Sequence, residues 1–290
     1  MDPVINTRLV RRLISQQFPN FSELPIQPVV KQGHDNRTFR LGERLSVRLP
    51  STASYADAVQ KEATVLTSIG RHFSIQVPEV CALGQPSDDF PLPWSIRRWL
   101  PGGTLEETQI VNQASLARAL GDILVELRSL PADTAFLAGR HSFFRGCHLK
   151  VYHDEVMMCL SRMDDALSRR RCLEIWNDGL KAAWSNPPVW FHGDLAVGNI
   201  LINEDKISAL IDFGICGVGD PSCDLAIAWT YFDADTRRIF KDSAKVDDGT
   251  WSRGRCWALW KALISLNGLS SPDLGGVHTR ALNELLDEAL

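Results

Sequence analysis

The chain has 290 residues, of which 44% are hydrophobic and 23% are charged, and its formal net charge is −4. This length allows one large domain or two closely packed lobes, and a slightly acidic chain without a Lys/Arg stripe is not expected to bind nucleic acid. No apolar run approaches the roughly 20 residues that span a bilayer, and the N-terminal segment has the period of an amphipathic helix interrupted by arginines, unlike a secretory signal. We therefore expect a cytoplasmic protein with no membrane partner. Its seven cysteines form no C-x-x-C pair, which favours reduced thiols over disulfides or a zinc site.

The first hundred residues are expected to form a small β-rich lobe. After the N-terminal helix, residues 26–50 contain three short β-rich segments separated by turn residues, which predicts three antiparallel strands. Residues 55–69 have apolar side chains at a helical period. A further pair of strands is predicted around the proline-rich turn at residues 85–93.

Beyond a Pro-Gly-Gly joint at residues 101–103, helices are expected to dominate. Helical periodicity begins at residues 115–130, and the exception is a β insertion at residues 189–214 that includes a hairpin. The layout predicts an α+β protein with an N-terminal lobe at residues 1–100 and a larger, mostly helical lobe at residues 101–290.

The strongest chemical signal lies between residues 192 and 224. Asp194 follows a predicted strand, Asn199 comes five residues later, and Asp212 ends the next hairpin strand. Phosphoryl transfer needs a carboxylate that orients and deprotonates the acceptor hydroxyl, and hard oxygen ligands for the magnesium ion that neutralises the phosphates. A turn of this length returns the Asn to the Asp, and the hairpin is expected to bring Asp212 to the same point. The order and spacing of these residues are typical of a kinase catalytic core.

In this region the chain resembles the aminoglycoside phosphotransferase and choline kinase-like family of small-molecule kinases, which are relatives of protein kinases. The patterns H-G-D-x-x-x-x-N, I-D-F-G and G-D-P-x-x-D-L-A occur in family order between His192 and Ala226. The layout of the remaining chain agrees with the family. The resemblance implies a bilobal protein-kinase-like fold and ATP- or GTP-dependent phosphorylation of a small-molecule hydroxyl, for which an aminoglycoside or related amino-sugar is one candidate.

The resemblance also implies roles for single residues. Asp194 would be the catalytic base, and Asn199 and Asp212 would bind magnesium. His192 and Asp224 would support the catalytic loop without contacting the substrate.

Nucleotide binding by a kinase requires a strand cation near the phosphates and a helical Glu that holds it. Glu62 matches the Glu, and Arg48 occupies the position where most kinases carry Lys. A guanidinium is a planar fork rather than a point charge, so it would grip phosphates with a different geometry. Lys61 is the alternative cation.

Two further segments are expected to contact the nucleotide. The turn at residues 33–36 has a single glycine, and we expect Asn36 and the backbone amides of this turn to cover the phosphates. Arg98, Trp99 and Leu100 resemble the hinge strand that meets the base through backbone groups.

Two rival functions remain open. A protein kinase is disfavoured because only five residues separate Gly214 from Asp220, which leaves no room for an activation segment. A pseudokinase, which binds nucleotide without turnover, is supported only by the replacement of Lys with Arg48. Asp220 itself, followed by Pro221, is predicted to be a helix N-cap.

The acceptor is the least determined part of the prediction. Residues 1–105 carry 12 Lys/Arg and 9 Asp/Glu, whereas residues 106–290 carry 19 and 26. An acidic cleft would attract a cationic acceptor, and the alternative is a solvated acidic surface. Tryptophans 251, 257 and 260 have helical spacing and are predicted to pack in the core, with stacking on a substrate ring as the alternative. Choline, sugars and macrolides remain alternative acceptors.

Overall fold

The computed structural model describes residues 4–33, 35–270, 272–273 and 275–288. The chain divides into two units, the first formed by Met1–Gly102 with Ala209–Gly214, and the second by Gly103–Ser208 with Ile215–Leu290. The first unit therefore contains a short segment that comes from late in the sequence.

The first unit is built on a five-stranded antiparallel sheet with the strand order β1-β2-β3-β5-β4. Its helices are α1 (Thr7–Gln17) and α2 (Ala56–Ile69). Its strands are β1 (Ile26–Pro28), β2 (Asn36–Leu41), β3 (Leu45–Pro50), β4 (Val80–Gly84) and β5 (Trp94–Arg98).

Alternation along the central strands separates an apolar face from a polar face. Val47 and Leu49 of β3 belong to a buried cluster that also includes β5 and the apolar side of α1. The intervening residue Arg48 is paired in register with Ser95 of β5. Side chains at such paired positions share a face of the sheet, so the face opposite α1 carries polar groups.

The late segment joins the first unit through backbone contacts with the loop after α2. Ala209 forms a parallel bridge with Gln76, and the N–H of Leu210 donates to the carbonyl of Gln76 at 3.0 Å. These contacts fix the start of the segment that contains Asp212.

The second unit is mostly helical. Its helices are α3 (Gln113–Ser129), α4 (His153–Ser161), α5 (Ala166–Lys181), α6 (Ile227–Thr230), α7 (Ala234–Ala244), α8 (Asp248–Leu266) and α9 (Val277–Glu288). The strands that begin in this unit are β6 (Gly103–Thr104), β7 (Val189–Phe191), β8 (Ile200–Asn203), β9 (Lys206–Leu210) and β10 (Gly217–Gly219). The chain passes into the first unit within β9.

Helix α8 is the central element of the second unit. Apolar side chains surround it on most sides, as is typical of a helix that is buried within a domain. Trp251, Trp257 and Trp260 are 8%, 3% and 4% exposed, which confirms that they are buried as predicted, and Trp257 and Trp260 also line a cavity of this unit. Among the residues that the structure describes, no helix is both long and apolar enough to cross a bilayer.

The α+β class, with a β-rich N-terminal unit and a helical C-terminal unit, is confirmed by these elements. Two very short strands were not predicted. The joint at residues 101–103 leads directly into β6, which pairs with β8, and β10 pairs with β7. A strand of two or three residues that contains glycine carries no periodic pattern, so it has little signal in the sequence.

Candidate active site

The loop that follows β7 is held by the carboxylate of Asp224. Its Oδ2 accepts the N–H of His192 and its Oδ1 accepts the N–H of Gly193, both at 2.7 Å. Gly193 has φ 86°, and a Cβ added there would lie 2.9 Å from the carbonyl oxygen of Ile215. The left-handed backbone and the close approach both require glycine. Asp194 is thereby presented from a tightly fixed turn.

Asp224 is 2% exposed. Burial raises its pKa, and the neighbouring His192 and the two backbone donors offset part of that effect. A buried carboxylate is stable only where hydrogen-bond donors surround it. The two backbone N–H groups supply such donors, and the same bonds fix two consecutive backbone amides of the loop. Asp224 contacts the loop as a support, which agrees with its predicted position.

Asp194 and Asn199 are in direct contact, as the spacing of five residues predicted. The Nδ2 atom of Asn199 donates to the backbone oxygen of Asp194 at 2.9 Å and to its Oδ2 at 3.1 Å. Because the amide nitrogen faces Asp194, the Oδ1 atom of Asn199 is the part of the side chain that can act as a metal ligand. His192 is fully buried, and its Nδ1 accepts the N–H of Asp194 at 3.3 Å.

Asp194 lies at the wall of a cavity of about 730 Å³ in the second unit. The loop residues 193–197 form part of this wall, and α8 contributes Trp257, Trp260 and Lys261. The volume is in the range of small-molecule binding sites. An exposed carboxylate at the edge of such a cavity can accept a proton from a bound hydroxyl.

In the first unit, the carboxylate of Glu62 is shared by two arginines. Its Oε1 lies 2.8 Å from Nη1 of Arg97 and 3.4 Å from Nη1 of Arg48. Arg97 and Glu62 are 2% and 3% exposed, whereas the Arg48 side chain is 14% exposed. Arg97 is further fixed by donating from Nε to Oγ of Ser95 at 2.8 Å. The predicted Arg48–Glu62 pair is present, but Arg97 is the closer partner.

This arrangement sets the ionisation of Glu62 and Arg48. Burial alone would raise the pKa of Glu62, but the charges of Arg97 and Arg48 outweigh it, and the pKa falls to about 2. Burial opposes the charge of Arg48, yet the nearby Asp212 and Glu62 carboxylates raise its pKa. Glu62 and Arg48 are therefore both charged at neutral pH.

Asp212 belongs to the same cluster. Its Oδ1 lies 3.0 Å from Nη2 of Arg48, and its side chain is 40% exposed. It has φ 66°, a left-handed backbone that is uncommon for residues other than glycine. The next residue, Phe213, donates its N–H to Oε1 of Glu62 at 3.0 Å. Glu62 thus fixes the backbone beside Asp212 and also orients the arginine that contacts it.

Lys61, the alternative cation, is directed toward the same segment. Its Nζ donates to the carbonyl of Gly214 at 3.0 Å. Adjacent residues of α2, Lys61 and Glu62, therefore contact adjacent residues of the late segment, Gly214 and Phe213. The contact with a backbone oxygen indicates that Lys61 holds the segment.

The other predicted nucleotide contacts lie at the two ends of the sheet. Asn36 begins β2 opposite Pro50 and is half-buried, while His34 of the same turn lies outside the described residues. The N–H of Arg98 donates to Glu79 O and that of Trp99 to Arg44 O, both at 2.8 Å.

Leu100 is 7% exposed and follows these two residues. Because the N–H groups of Arg98 and Trp99 are already bonded within the first unit, a base could contact these two residues only through their carbonyl oxygens. The hinge therefore offers the base fewer backbone hydrogen-bonding groups than the resemblance implies.

Comparison with known proteins gives a family assignment for most of the chain. Residues 27–258 match the sequence model of the phosphotransferase enzyme family. The chain belongs to this family. Its name describes enzymes that transfer a phosphoryl group, and the motif that contains Asp194, Asn199 and Asp212 lies within the matched region.

Individual relatives agree with the assignment. An aminoglycoside 3'-phosphotransferase of Escherichia coli is 28% identical over 142 residues, which are 47% of this chain and 51% of that protein. The match spans about half the length of the curated relative. The GDP complex of an aminoglycoside 2'-phosphotransferase-IIIa has a TM-score of 0.76 at 18% identity and covers 98% of both chains. A macrolide 2'-phosphotransferase type I has a TM-score of 0.67 at 19% identity, with 98% of this chain and 99% of that chain covered.

These solved structures confirm the predicted protein-kinase-like fold of the phosphotransferase family. The short connection after Gly214 is also as predicted, since β10 and the 3-10 helix Pro221–Ala226 follow without a long intervening segment. Asp220 caps this helix by accepting the N–H of Ser222 at 3.1 Å. The Arg253 guanidinium binds the same carboxylate, with Nε 2.6 Å from Oδ2. The structural role predicted for Asp220 is confirmed.

Arg97 is the residue that the sequence analysis missed. Alternation along β5 was a usable signal, because it places Ser95 and Arg97 on the face opposite Trp94 and Ile96. An arginine at an inward position of a central strand requires a charged partner. The sequence analysis named only the neighbouring Arg98, as part of the hinge strand. The Arg98 side chain is exposed and pairs with Glu79 at 2.8 Å.

Proposed function

We propose that this protein transfers the terminal phosphoryl group of ATP or GTP to a hydroxyl group of a small molecule. The observation that carries the proposal is the Asp194 carboxylate, which is fixed by Asn199 at the edge of a cavity of about 730 Å³. Membership in the phosphotransferase enzyme family supports the same reaction.

Asp194 is proposed to be the general base. Its Oδ2 is oriented by the Asn199 amide at 3.1 Å, so the carboxylate can accept the proton of an acceptor hydroxyl as the oxygen attacks the phosphorus. The His192 and Asp224 contacts hold the loop and do not require either residue to touch the substrate.

Asn199 and Asp212 are proposed to bind a magnesium ion, because that ion prefers hard oxygen ligands. Asn199 offers Oδ1 in the second unit, and the exposed carboxylate of Asp212 offers a ligand in the first unit. When bound, magnesium would neutralise the charge of the phosphate oxygens. The residues of this chain would hold the ion and orient the groups around it.

Arg48 is proposed to contact the nucleotide phosphates. Arg97 neutralises Glu62 at 2.8 Å, so Arg48 is not the only cation on which this buried carboxylate depends. Some N–H groups of the Arg48 guanidinium can therefore donate to phosphate oxygens, which guanidinium groups bind in a bidentate manner. Asn36 and the carbonyl groups of Arg98 and Trp99 are proposed to contact the rest of the nucleotide, with Leu100 packing beside the base.

The acceptor is proposed to be a small hydroxyl compound. The relatives are phosphotransferases of aminoglycosides and of a macrolide, which makes an aminoglycoside or related amino-sugar one candidate acceptor. A hydroxyl compound that carries an anionic group is the second candidate class, because Arg145, Lys261 and Arg280 line the cavity. Choline-like molecules and neutral sugars complete the set that must be compared.

The test is release of ADP or GDP by the purified protein with magnesium, ATP or GTP, and a panel of these acceptors. We expect acceptor-dependent release that disappears in Asp194→Asn. Nucleotide binding without turnover on any acceptor would favour the pseudokinase alternative. Phosphorylation of a peptide would favour a protein kinase, against which the short connection between Gly214 and Asp220 argues.

A further inference from the structure

The cavity beside Asp194 is not the acidic cleft that the overall charge suggested. Its walls carry three carboxylates, Glu106, Asp194 and Asp273, and three permanent cations, Arg145, Lys261 and Arg280. The acids at the end of the chain are used elsewhere, since Glu284 lies 2.6 Å from Arg237 and Glu288 lies 3.2 Å from Arg255. The acidic excess after residue 105 is thus not concentrated at the acceptor cavity.

One of the three acids at the cavity, Asp273, accepts hydrogen bonds from the start of helix α9. The Oδ1 atom of Asp273 accepts the N–H of His278 at 2.8 Å, and its Oδ2 accepts the N–H and hydroxyl of Thr279 at 3.0 and 2.7 Å. These bonds cap the first turn of α9 and direct both carboxylate oxygens toward that helix. Asp273 keeps its charge, but its hydrogen-bond donors are backbone and hydroxyl groups of α9 and not the cations of the cavity.

Among the described residues, the hydrogen-bond acceptors of the three cations are all neutral groups. Lys261 donates from Nζ to the Ser270 hydroxyl at 2.9 Å, and Arg145 donates to the Tyr152 hydroxyl at 3.4 Å. Arg280 donates to the carbonyl oxygen of Thr230. Within the residues that the structure describes, no carboxylate oxygen lies within 4.0 Å of a charged nitrogen of these three.

Lys261 and Arg145 also influence each other. Burial lowers the pKa of Lys261, Asp194 raises it, and the like charge of Arg145 lowers it again. Lys261 therefore lies in the field of both the proposed base and a second cation. Two like charges at a partly buried wall repel each other, and an anion bound beside them would relieve that repulsion.

Aromatic residues complete the site. The guanidinium carbon of Arg145 lies 4.7 Å from the ring centroid of Trp260, which fixes its plane by a cation–π contact. Trp257 and Tyr231 also line the cavity. A ligand that binds here would meet an apolar aromatic wall on one side and two positive charges beside it.

We propose that the acceptor carries an anionic group, a carboxylate or a phosphate, which binds Lys261 and Arg145 and directs the acceptor hydroxyl toward Asp194. This inference rests on the proposed function, because it concerns the acceptor of the same reaction. The anionic group neutralises the two cations, while the remainder of the molecule packs against Trp257 and Trp260. A polycationic acceptor would instead face both positive charges.

The first test measures binding without turnover. Inorganic phosphate is titrated into the full-length protein in saturating magnesium and ADP, and binding is followed by tryptophan fluorescence and by the melting temperature. We expect saturable binding that is weakened about tenfold or more in Lys261→Met, since a charge-assisted hydrogen bond is lost. Lys261→Arg should retain most of the binding.

Lys181→Met is the matched control, because Lys181 is exposed on α5 and lies outside the cavity. It should bind phosphate like the wild type. Equal phosphate affinity in Lys261→Met and wild type, or no saturable binding in the wild type, would overturn the inference. So would a loss in Lys261→Met of ATP binding alone, because Lys261 would then belong to the nucleotide site.

The second test varies charge on one ring. Dissociation constants are measured for glucuronate, glucose 6-phosphate, glucose and glucosamine, and the first two distinguish a carboxylate from a phosphate. We expect at least one anionic sugar to bind more tightly than glucose, and glucosamine to bind no better than glucose. Equal constants, or tighter binding of glucosamine, would reject the anionic acceptor. Absent turnover in every assay would reject the proposed function but leave these binding results interpretable.

Discussion

The Nη1 atom of Arg97 lies 2.8 Å from Oε1 of Glu62, and both side chains are almost completely buried. Arg48 approaches the same oxygen at 3.4 Å and reaches Asp212 at 3.0 Å. One arginine is therefore committed to structure, and the other connects Glu62 to a carboxylate that is partly exposed. In most kinases a single lysine both pairs with the Glu and contacts the phosphates. Here Arg97 makes the closer pair with Glu62, and Arg48 is proposed to contact the phosphates.

Arg97→Met should destabilise the protein strongly. Removing one partner of a buried ion pair leaves an uncompensated charge, and such changes cost about 3 to 5 kcal/mol. Because Arg48 remains near Glu62, we expect a decrease at the lower end, about 3 kcal/mol, in the free energy of unfolding measured in urea. Arg98→Met is the control on the same strand, and an equal loss there would contradict the distinct role of Arg97.

Arg48→Ala should raise the Michaelis constant for the nucleotide about tenfold or more, because charge-assisted bonds to phosphates are lost. Arg48→Lys should be partly active, since a point charge replaces the planar fork. Steady-state kinetics at fixed acceptor concentration measure both. If Arg48→Ala leaves the nucleotide constant unchanged, the phosphate cation lies elsewhere, and Lys61→Met becomes the variant to examine.

Asp194→Asn should lower kcat by roughly 10²- to 10⁴-fold, the usual consequence of losing a general base. Nucleotide affinity should change little, because the loop is fixed by Asp224 and not by the Asp194 carboxylate. Asp164→Asn, an exposed acid before α5, is the control. Activity of Asp194→Asn within a few-fold of wild type would remove Asp194 from the reaction.

Asp212→Asn should weaken binding of the magnesium–nucleotide complex more than Asp194→Asn does. Asp212 is the proposed metal ligand in the first unit, and an amide is a poorer ligand for magnesium than a carboxylate. Titration of both variants with ATP, with and without magnesium, measures the difference. The effect should be confined to the titration with magnesium; equal weakening in both titrations would indicate that Asp212 acts only through Arg48.

Glu62→Gln should change the dependence of stability on pH. The folded-state pKa of Glu62 is lowered to about 2, below the value of about 4.3 in an unfolded chain. Its contribution is therefore present above about pH 4.3 and is lost as the pH falls toward 2, which amounts to about 3 kcal/mol. Wild type and Glu62→Gln should differ by that amount at pH 7 and converge in acid, as measured by urea unfolding at each pH. Glu79→Gln, at an exposed acid, should follow the wild-type curve.

The sequence was most informative where one short motif contains its own geometry. The spacing between Asp194 and Asn199 was sufficient to predict their contact, and the pattern around Asp220 was sufficient to predict a helix cap. Both relationships are local, so turn length and capping chemistry determine them. The alternation in β3 is local in the same way, and in the structure it sets Arg48 on the face opposite Val47 and Leu49.

Relationships between distant segments were harder to predict. Arg97 is 35 positions from Glu62 in sequence, and nothing local distinguishes it from Arg98 except strand alternation. Composition left the charge of the cavity open, because a total count does not show which acids cap a helix, as Asp273 does, or form an ion pair, as Glu284 does. The tertiary fold determines which acidic and basic side chains come into contact, so the local sequence does not show these pairs.

The assignment of Ala209–Gly214 to the first unit has a consequence for the order in which the protein can mature. During synthesis, Arg48, Glu62 and Arg97 leave the ribosome long before Asp212, which lies 164 positions after Arg48. Until then, the growing chain carries two arginines and one glutamate without the second carboxylate and without the Phe213 amide. The N-terminal sheet can form early, but the charge cluster on its polar face is completed only after Asp212 and Phe213 have been made.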